Sequence, residues 1–423
     1  MKKLITLVLV ALLTLSMTAC GNGGKKEEEP TGPITITFWH TLTDQHLEAL
    51  NKIIDGFNKS QSEIVVVGEQ KPYTDYDSNL AMALRNGNGP DFVSRYATDA
   101  VEYLADDLIV DMTPYIEKEY GSMENWKNSM IGETYEECTQ LGGAYLFPIS
   151  SSSQVYFYNK TLFDELNLKA PTTWDELLYN AKVCYEHTGK AGFSMDDELD
   201  DFQDIMTQRG FTYIDMDKKE IGWPKEETTK LLQWYVDNCK AGYFTLKETN
   251  TYCSVPFASG ELPAYIGSSA GASYALMNDG KFEAGIAPIP QEGTHKYIPN
   301  WGGGYVIFKT TDAKQEACFK FLNYYASAEV SAAWAAGFNT IPSYKAAYDT
   351  AIYKEYAAND LAAKAMTEQA DCMGWLRACP GSNAVRDEIQ KMIRTAVLDG
   401  ANVSVEQAVE TFYANTSAAL KGN

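Results

Sequence analysis

ITITFWHTLTDQHLEALNKIIDGFNKSQSEIVVV, residues Ile34 to Val67, is the stretch on which the fold turns. Ile34 to Trp39 alternates apolar and polar side chains, the period of a strand with one buried face, while His46 to Lys59 carries apolar residues at helical spacing. Ile64 to Val67 is an apolar run of strand length, Tyr76 to Asn86 reads as a second helix, and GNGPDFVSRY enters a third strand through a Gly-Pro turn. This β-α-β-α-β series predicts an α/β fold built on a largely parallel sheet with helices on both faces. In such folds ligands meet the carboxyl ends of the strands.

A second series starts near Ala144. YLFPISSSSQVYFYNK is apolar and aromatic except for Ser150 to Ser153, and it leads into Thr161 to Glu165 and a helix opened by Pro171-Thr172-Thr173-Trp174. Thr173 with Glu176 three residues on has the form of a helix N-cap. Phe282 to Pro290 and Gly304 to Lys309 read as strands. Lys314 to Tyr325, Ser327 to Ala336 and Ala384 to Leu398 read as helices, with Ser327 a candidate N-cap.

The start of the chain has another character. Lys2 and Lys3 precede the apolar run Leu4 to Leu15, and Met17-Thr18-Ala19-Cys20 follows, the pattern of a secretory signal over residues 1–19. The run is about a dozen residues, short of the roughly 20 that span a bilayer as a helix. The last four residues resemble a bacterial lipobox with Met17 in place of its usual Leu, which implies lipidation of Cys20. Residues 20–33 then form a flexible tether, because GNGGKKEEEPTGP has nothing with which to build a core.

The net charge is −22, and −24 once the two leader lysines are removed, with a sequence pI near 4.6. Such an acidic chain lacks the clustered Lys and Arg that phosphate backbones require, so nucleic acid is excluded as a partner. At 423 residues and 45% hydrophobic, the chain can bury more than one core. Seven cysteines follow Cys20, irregularly spaced and without C-x-x-C. Cys372 and Cys379 could pair across a short loop, the alternative being a set of buried thiols. The four histidines make no metal spacing, so neither metal nor cofactor is expected. Asp196 to Asp204 lacks the glycine and terminal glutamate of a calcium loop and reads as a solvated acidic loop, as does Asp215 to Asp217. Gly267-Ser268-Ser269-Ala270-Gly271 fits the nucleophile-elbow pattern G-x-S-x-G, but the only later histidine, His295, follows too closely in a Pro- and Gly-rich loop for a hydrolase triad.

ITFWH, FNKSQ, GNGPD, VYFYNKTLFDELNLKAPTTWDELL, FASGELPAYIGSSAG, GIAPIP, WGGGYVIFK and RTAVLDGANVSVEQAV occur in an order and at spacings that resemble the family-1 extracellular solute-binding proteins. The resemblance covers nearly everything after the tether. It implies a periplasmic-binding-protein-like fold of two α/β lobes, a hinge, and a cleft that closes on a ligand before docking on an ABC permease. The implied lobes are discontinuous, 34–146 with 288–342 and 147–287 with 343–423, the chain crossing near Leu146 to Ser150, Ala287-Pro288 and Pro342. It also implies a monomer outside the cytoplasm with no catalytic residue, and the lipobox resemblance implies that only the lipid on Cys20 holds it to the membrane.

Sugar recognition needs flat aromatic faces and oriented polar groups. Trp39, Tyr76, Tyr96, Trp301 and Trp375 are the aromatic candidates because each lies at or beside a predicted loop, and His40 follows Trp39. Trp126, Trp174, Trp223, Trp234 and Trp334 read as structural. The resemblance adds Ser151 and Ser152 in the crossover, Ser268 and Ser269, and the glycines Gly302 and Gly303. Arg386 in GSNAVRDEI matches the arginine that meets phosphate in the glycerol-3-phosphate branch. That branch carries an acidic residue after Tyr96 and a tyrosine before Ile341-Pro342, where this chain has Ala97 and Thr340. A carbohydrate is therefore the expected ligand, a glycerol-3-phosphate or glycerophosphodiester the alternative, and a secreted glycan hydrolase the third reading.

Overall fold

Strand Ile34–His40 forms where the alternation predicted it, and it runs parallel to Ile64–Gln70 in the register Ile34 to Ile64 through His40 to Gln70. On its other side it pairs in parallel with Phe92–Arg95, beyond which Gly304–Ile307 adds an antiparallel edge. The computed structural model describes residues 32–422 apart from 73, 249, 250 and 294, so the leader, Cys20 and nearly all of the tether lie outside the described residues.

Helix Asp44–Ser60 presents Leu50, Ile53, Ile54 and Phe57 to this sheet, an i, i+3, i+4, i+7 stripe. Phe38 stacks on Phe92 at 4.9 Å and 7°, and Ile36 is fully buried beneath them. Helix Asp312–Tyr325 packs against the first strand and begins two residues earlier than its periodicity suggests, because Thr311 caps it. Ser327 stands at the N-cap of Ala328–Phe338 but does not cap it with its side chain: its hydroxyl donates to Tyr324 O at 2.6 Å. Thr173 does cap its helix, accepting from the Glu176 amide at 3.2 Å.

The second sheet is ordered Ala284–Ala287, Gln154–Asn159, Ala264–Ser268, Ser194–Met195. Gln154–Asn159 runs antiparallel to both neighbours, and only Ser194–Met195 pairs in parallel, so the largely parallel arrangement holds for the first sheet alone. The period of two divides its side chains between two cores: Val155 and Phe157 face one, Tyr156 the other.

Two large cores result, one around Ile36, Phe92, Trp126 and Phe321, the other around Tyr156, Phe202, Tyr235 and Phe412. Ser150–Ser151 pairs with Ile341–Pro342, and Ser152 bridges to Trp301, so three chain passages between the cores lie side by side. The middle passage differs from the expectation near Ala287-Pro288. Ile289 and Ile298 still pack in the second core, and the chain reaches the first only at Tyr305.

The expected solvated loop Asp196 to Asp204 is also corrected. Asp197 is the N-cap of helix Glu198–Gln208, in which Glu198, Asp200, Asp201 and Asp204 are buried. Arg394 meets Glu198 at 2.6 Å and Arg386 meets Asp200 at 2.7 Å, while Gln154 donates to Asp201 at 2.6 Å. Burial pushes the carboxyls of Asp201 and Asp204 well above the ordinary carboxylate range. The turn at Asp215 is exposed as expected, with Lys218 paired to Asp215. All seven described cysteines are free, including Cys372 and Cys379. Among the described residues no helix is long and apolar enough to cross a membrane.

Candidate functional site

Where the three passages meet, two adjoining cavities open, of about 870 and 380 Å³. Tyr96, Asp99, Ser152, Tyr252 and Trp301 line both, so they form one cleft with a broad chamber and a smaller acidic one. Its walls come from strand ends and crossovers together with helical residues such as Tyr76, Asp99, Trp334 and Arg386.

Trp39, His40, Tyr76, Tyr96, Ser152, Trp301 and Gly302 line the broad chamber; Ser268 and Arg386 line the acidic one. Tyr76 is buried, and its hydroxyl donates to Trp39 O at 3.0 Å, so it braces the strand end. Burial raises its pKa to about 12. Lys71 sits over the Trp39 ring at 4.1 Å. The amide of Trp301 donates to Ser152 O at 2.9 Å, which pins the Trp301 backbone to the first crossover. Gly302 is required by packing, since a Cβ there would collide with the Ser151 hydroxyl. Gly303 adopts φ +53° against the Arg95 carbonyl, the reason for glycine at that position.

Four candidates line neither cavity. Ser151 is buried in the pairing with Ile341, and Gly303 is taken up by its turn. Trp375 lies outside the cleft, with Arg377 over its ring at 5.5 Å. Ser269 has no exposed surface, and His295 is exposed elsewhere, so the G-x-S-x-G pattern is a half-buried turn in which Ser268 accepts from the Ala270 amide at 3.2 Å.

The sequence reading missed Asp77, Asp99, Glu137, Asp197, Trp334, Phe338 and Thr340 in the lining. Trp334 was assigned to structure alone; it is nearly buried and also walls the broad chamber, its Nε1 donating to Ser150 Oγ at 3.1 Å. A usable signal existed for the acidic helix. Arg386 and Arg394 are eight residues apart, about two helical turns, so both face the same way and need buried acidic partners.

Cations at the cleft are already engaged. Arg95 bonds Asp77 at 2.7 Å and lies 4.5 Å over the Tyr76 ring; Arg386 bonds Asp200 at 2.7 Å; Lys247 lies 5.3 Å over Tyr252. Around the acidic chamber stand Asp99, Glu137, Asp196, Asp197 and Asp200. Burial pushes Glu137 up to about 8, against hydrogen bonds from Asn300 and the Gly303 amide, and pushes Asp197 to about 8. These two carboxyls are protonated at neutral pH and can donate as well as accept.

A pH dependence follows for Glu137. The folded protein holds this proton up to pH about 8, whereas an unfolded chain releases it near 4.5. Its stabilising contribution is complete below pH 4.5 and is lost as pH rises to about 8. Thermal unfolding of the wild type is expected to occur at lower temperature at pH 8 than at pH 5, and Glu137→Gln is expected to flatten that slope. Identical slopes in the two proteins would mean that the folded state already ionises Glu137.

Comparison with known proteins agrees with this architecture. The family model described as bacterial extracellular solute-binding protein matches residues 52–362. The sn-glycerol-3-phosphate-binding periplasmic protein UgpB of Pectobacterium atrosepticum is 24% identical over 356 residues, 78% of this chain and 79% of that one. Among solved structures, UgpB of Mycobacterium tuberculosis in complex with glycerophosphocholine superposes with a TM-score of 0.79 at 17% identity, over 93% of this chain and 99% of that one. The cyclic α-maltosyl-1,6-maltose binding protein of Arthrobacter globiformis superposes with a TM-score of 0.75 at 21% identity, over 93% and 100%. These likenesses establish the shared α/β fold of two-lobed binding proteins.

Proposed function

Because this chain belongs to the bacterial extracellular solute-binding proteins, we propose that it captures an uncharged carbohydrate in the interlobe cleft and hands it to an ABC permease. The lobes close about the passages at 150–153, 299–304 and 340–343, and the ligand shifts the equilibrium by binding the closed form more tightly. No covalent step is involved. The same reading includes the monomeric state, the cleaved signal and the lipid anchor at Cys20.

One observation carries the choice of ligand: Arg386 is bound to buried Asp200 at 2.7 Å in a chamber rich in carboxyls. A phosphate would have to draw the guanidinium from that partner and leave buried Asp200 uncompensated. A neutral polyol needs neither step, and finds aromatic faces in Trp39, Tyr96 and Trp301 together with polar groups for its hydroxyls. A phosphorylated polyol is the second reading, favoured by the glycerol-3-phosphate and glycerophosphocholine of the UgpB relatives.

The test is a thermal-shift panel of monosaccharides, oligosaccharides, sugar phosphates and glycerophosphodiesters on the protein beginning after Cys20. At a hundredfold excess over Kd a ligand stabilises by about 2.7 kcal/mol, which is readily seen. Neutral sugars are expected to raise the melting temperature. A response to phosphorylated compounds alone would replace the first reading by the second.

A further inference from the structure

We propose that the side-chain amides of Asn58 and Gln61 close the free edge of the first sheet, keeping a second copy of this chain from adding to it strand against strand. Strand Ile64–Gln70 stands at the end of the sheet order, with a neighbouring strand on one side only. The strand at the opposite end, Gly304–Ile307, is flanked in turn. Phe147 and Tyr305 exchange backbone bonds at 2.9 and 2.8 Å, and the Val110 amide donates to Ile307 O at 2.9 Å.

The pairing register fixes which groups face outward. The Ile34 amide donates to Glu63 O and the Lys71 amide to His40 O, both at 2.8 Å. Odd-numbered residues of Ile64–Gln70 therefore turn their backbone groups to strand Ile34–His40, while Ile64, Val66, Gly68 and Gln70 turn theirs to the edge. Two of these are already taken. Asn58, in the last turn of helix Asp44–Ser60, accepts from the Val66 amide and donates to the Val66 carbonyl, both at 2.9 Å. Gln61, just past the helix, does the same for Ile64: its Oε1 accepts from the amide at 2.8 Å and its Nε2 donates to the carbonyl at 2.7 Å. A carboxamide carries the donor and acceptor of a peptide unit, so each side chain stands in for one residue of a further strand.

Holding two positions suffices because of the symmetry of the pairing it prevents. Two copies joined edge to edge about a two-fold axis run antiparallel, and directly opposite residues exchange both of their backbone bonds. The register that uses the whole strand puts Val67 on the axis, Ile64 opposite Gln70 and Val66 opposite Gly68. Each such pair contains a residue that Asn58 or Gln61 holds. The strand is also one that needs a guard: Ile64-Val65-Val66-Val67 is a β-branched apolar run, uncharged until Glu69, and Val67 is exposed. The guard gives the monomeric state proposed above a physical cause, and it stands apart from the choice of ligand.

The experiment is sedimentation velocity over a concentration series on the protein beginning after Cys20, which retains both cores. The wild type is expected to sediment as a monomer, and Asn58→Ala combined with Gln61→Ala to self-associate about tenfold more tightly or better. Gln61→Ala alone leaves the helix intact and frees only Ile64, so it should fold and fall between the two. Adding Val67→Lys to the double variant should restore the monomer, because two lysines then meet across the axis. Leu50→Ala weakens the packing of the same helix but leaves the edge covered, and should stay monomeric. A folded double variant that sediments as the wild type does would overturn the guard. So would association that Leu50→Ala reproduces or that Val67→Lys leaves intact. Wild-type association abolished by Val67→Lys would overturn it too, since the edge would then be open with Asn58 and Gln61 in place.

Discussion

Arg386→Ala is expected to lower the unfolding free energy by about 3–5 kcal/mol, the size of the effect when one partner of a buried ion pair is removed. Asp200 retains 3% of its side-chain surface exposed, and its 2.7 Å bond to Arg386 is the contact that balances its charge. Four further acidic residues, Asp197, Glu198, Asp201 and Asp204, lie on or beside the same helix turns. Losing the guanidinium therefore leaves a crowded acidic interior with Arg394 as its remaining arginine partner. The check is denaturant unfolding of the wild type, Arg386→Ala, and Arg386→Ala combined with Asp200→Asn. The double variant is expected to recover much of the loss, since the unpaired charge has gone. If Arg386→Ala is as stable as the wild type and loses only ligand affinity, the residue is a ligand contact and the phosphate reading gains.

Trp301→Ala is the second large effect, on binding rather than folding. A tryptophan at the centre of a cleft commonly contributes 2 kcal/mol or more, so the Kd for the captured sugar should rise by about 30-fold or more. The indole lines both chambers, whereas the backbone of Trp301 stays tied to Ser152 O, so the crossover should survive the truncation. Calorimetric titration beside a melting curve separates the two quantities. An unchanged Kd would place the ligand away from the junction of the chambers. An unmeasurable Kd with an unchanged melting temperature would put Trp301 at its centre.

These two residues also differ in how far the chain announced them. Trp301 was legible because it precedes three glycines at the start of a predicted strand, a local signal. Arg386 was legible as a position but not as a role: the acidic run at 196–204 read as a solvated loop, and its partners stand 186 and 196 residues further along. Thr340 was noticed only as a departure from the expected tyrosine, and its partnerless hydroxyl came to light with its surroundings. Trp375 and Ser269 had the same kind of local credentials as Trp301 and lie outside the cleft or wholly beneath it.

By itself the sequence determined the elements and the class of fold. Alternation from Ile34 to Trp39 and the apolar stripe of Leu50, Ile53, Ile54 and Phe57 are properties of neighbouring residues, because strand and helix periods are set by local backbone geometry. Only the tertiary structure decided that the second sheet is mainly antiparallel, that the middle passage lies after Ile298, that acidic residues fill an interior, and which candidate side chains share one cleft. Those outcomes depend on burial and on pairing between distant segments. An acidic side chain is tolerated inside where a cation or hydrogen-bond donor from elsewhere in the chain reaches it, as Arg386 reaches Asp200 and Gln154 reaches Asp201, and nothing in the local pattern records that meeting.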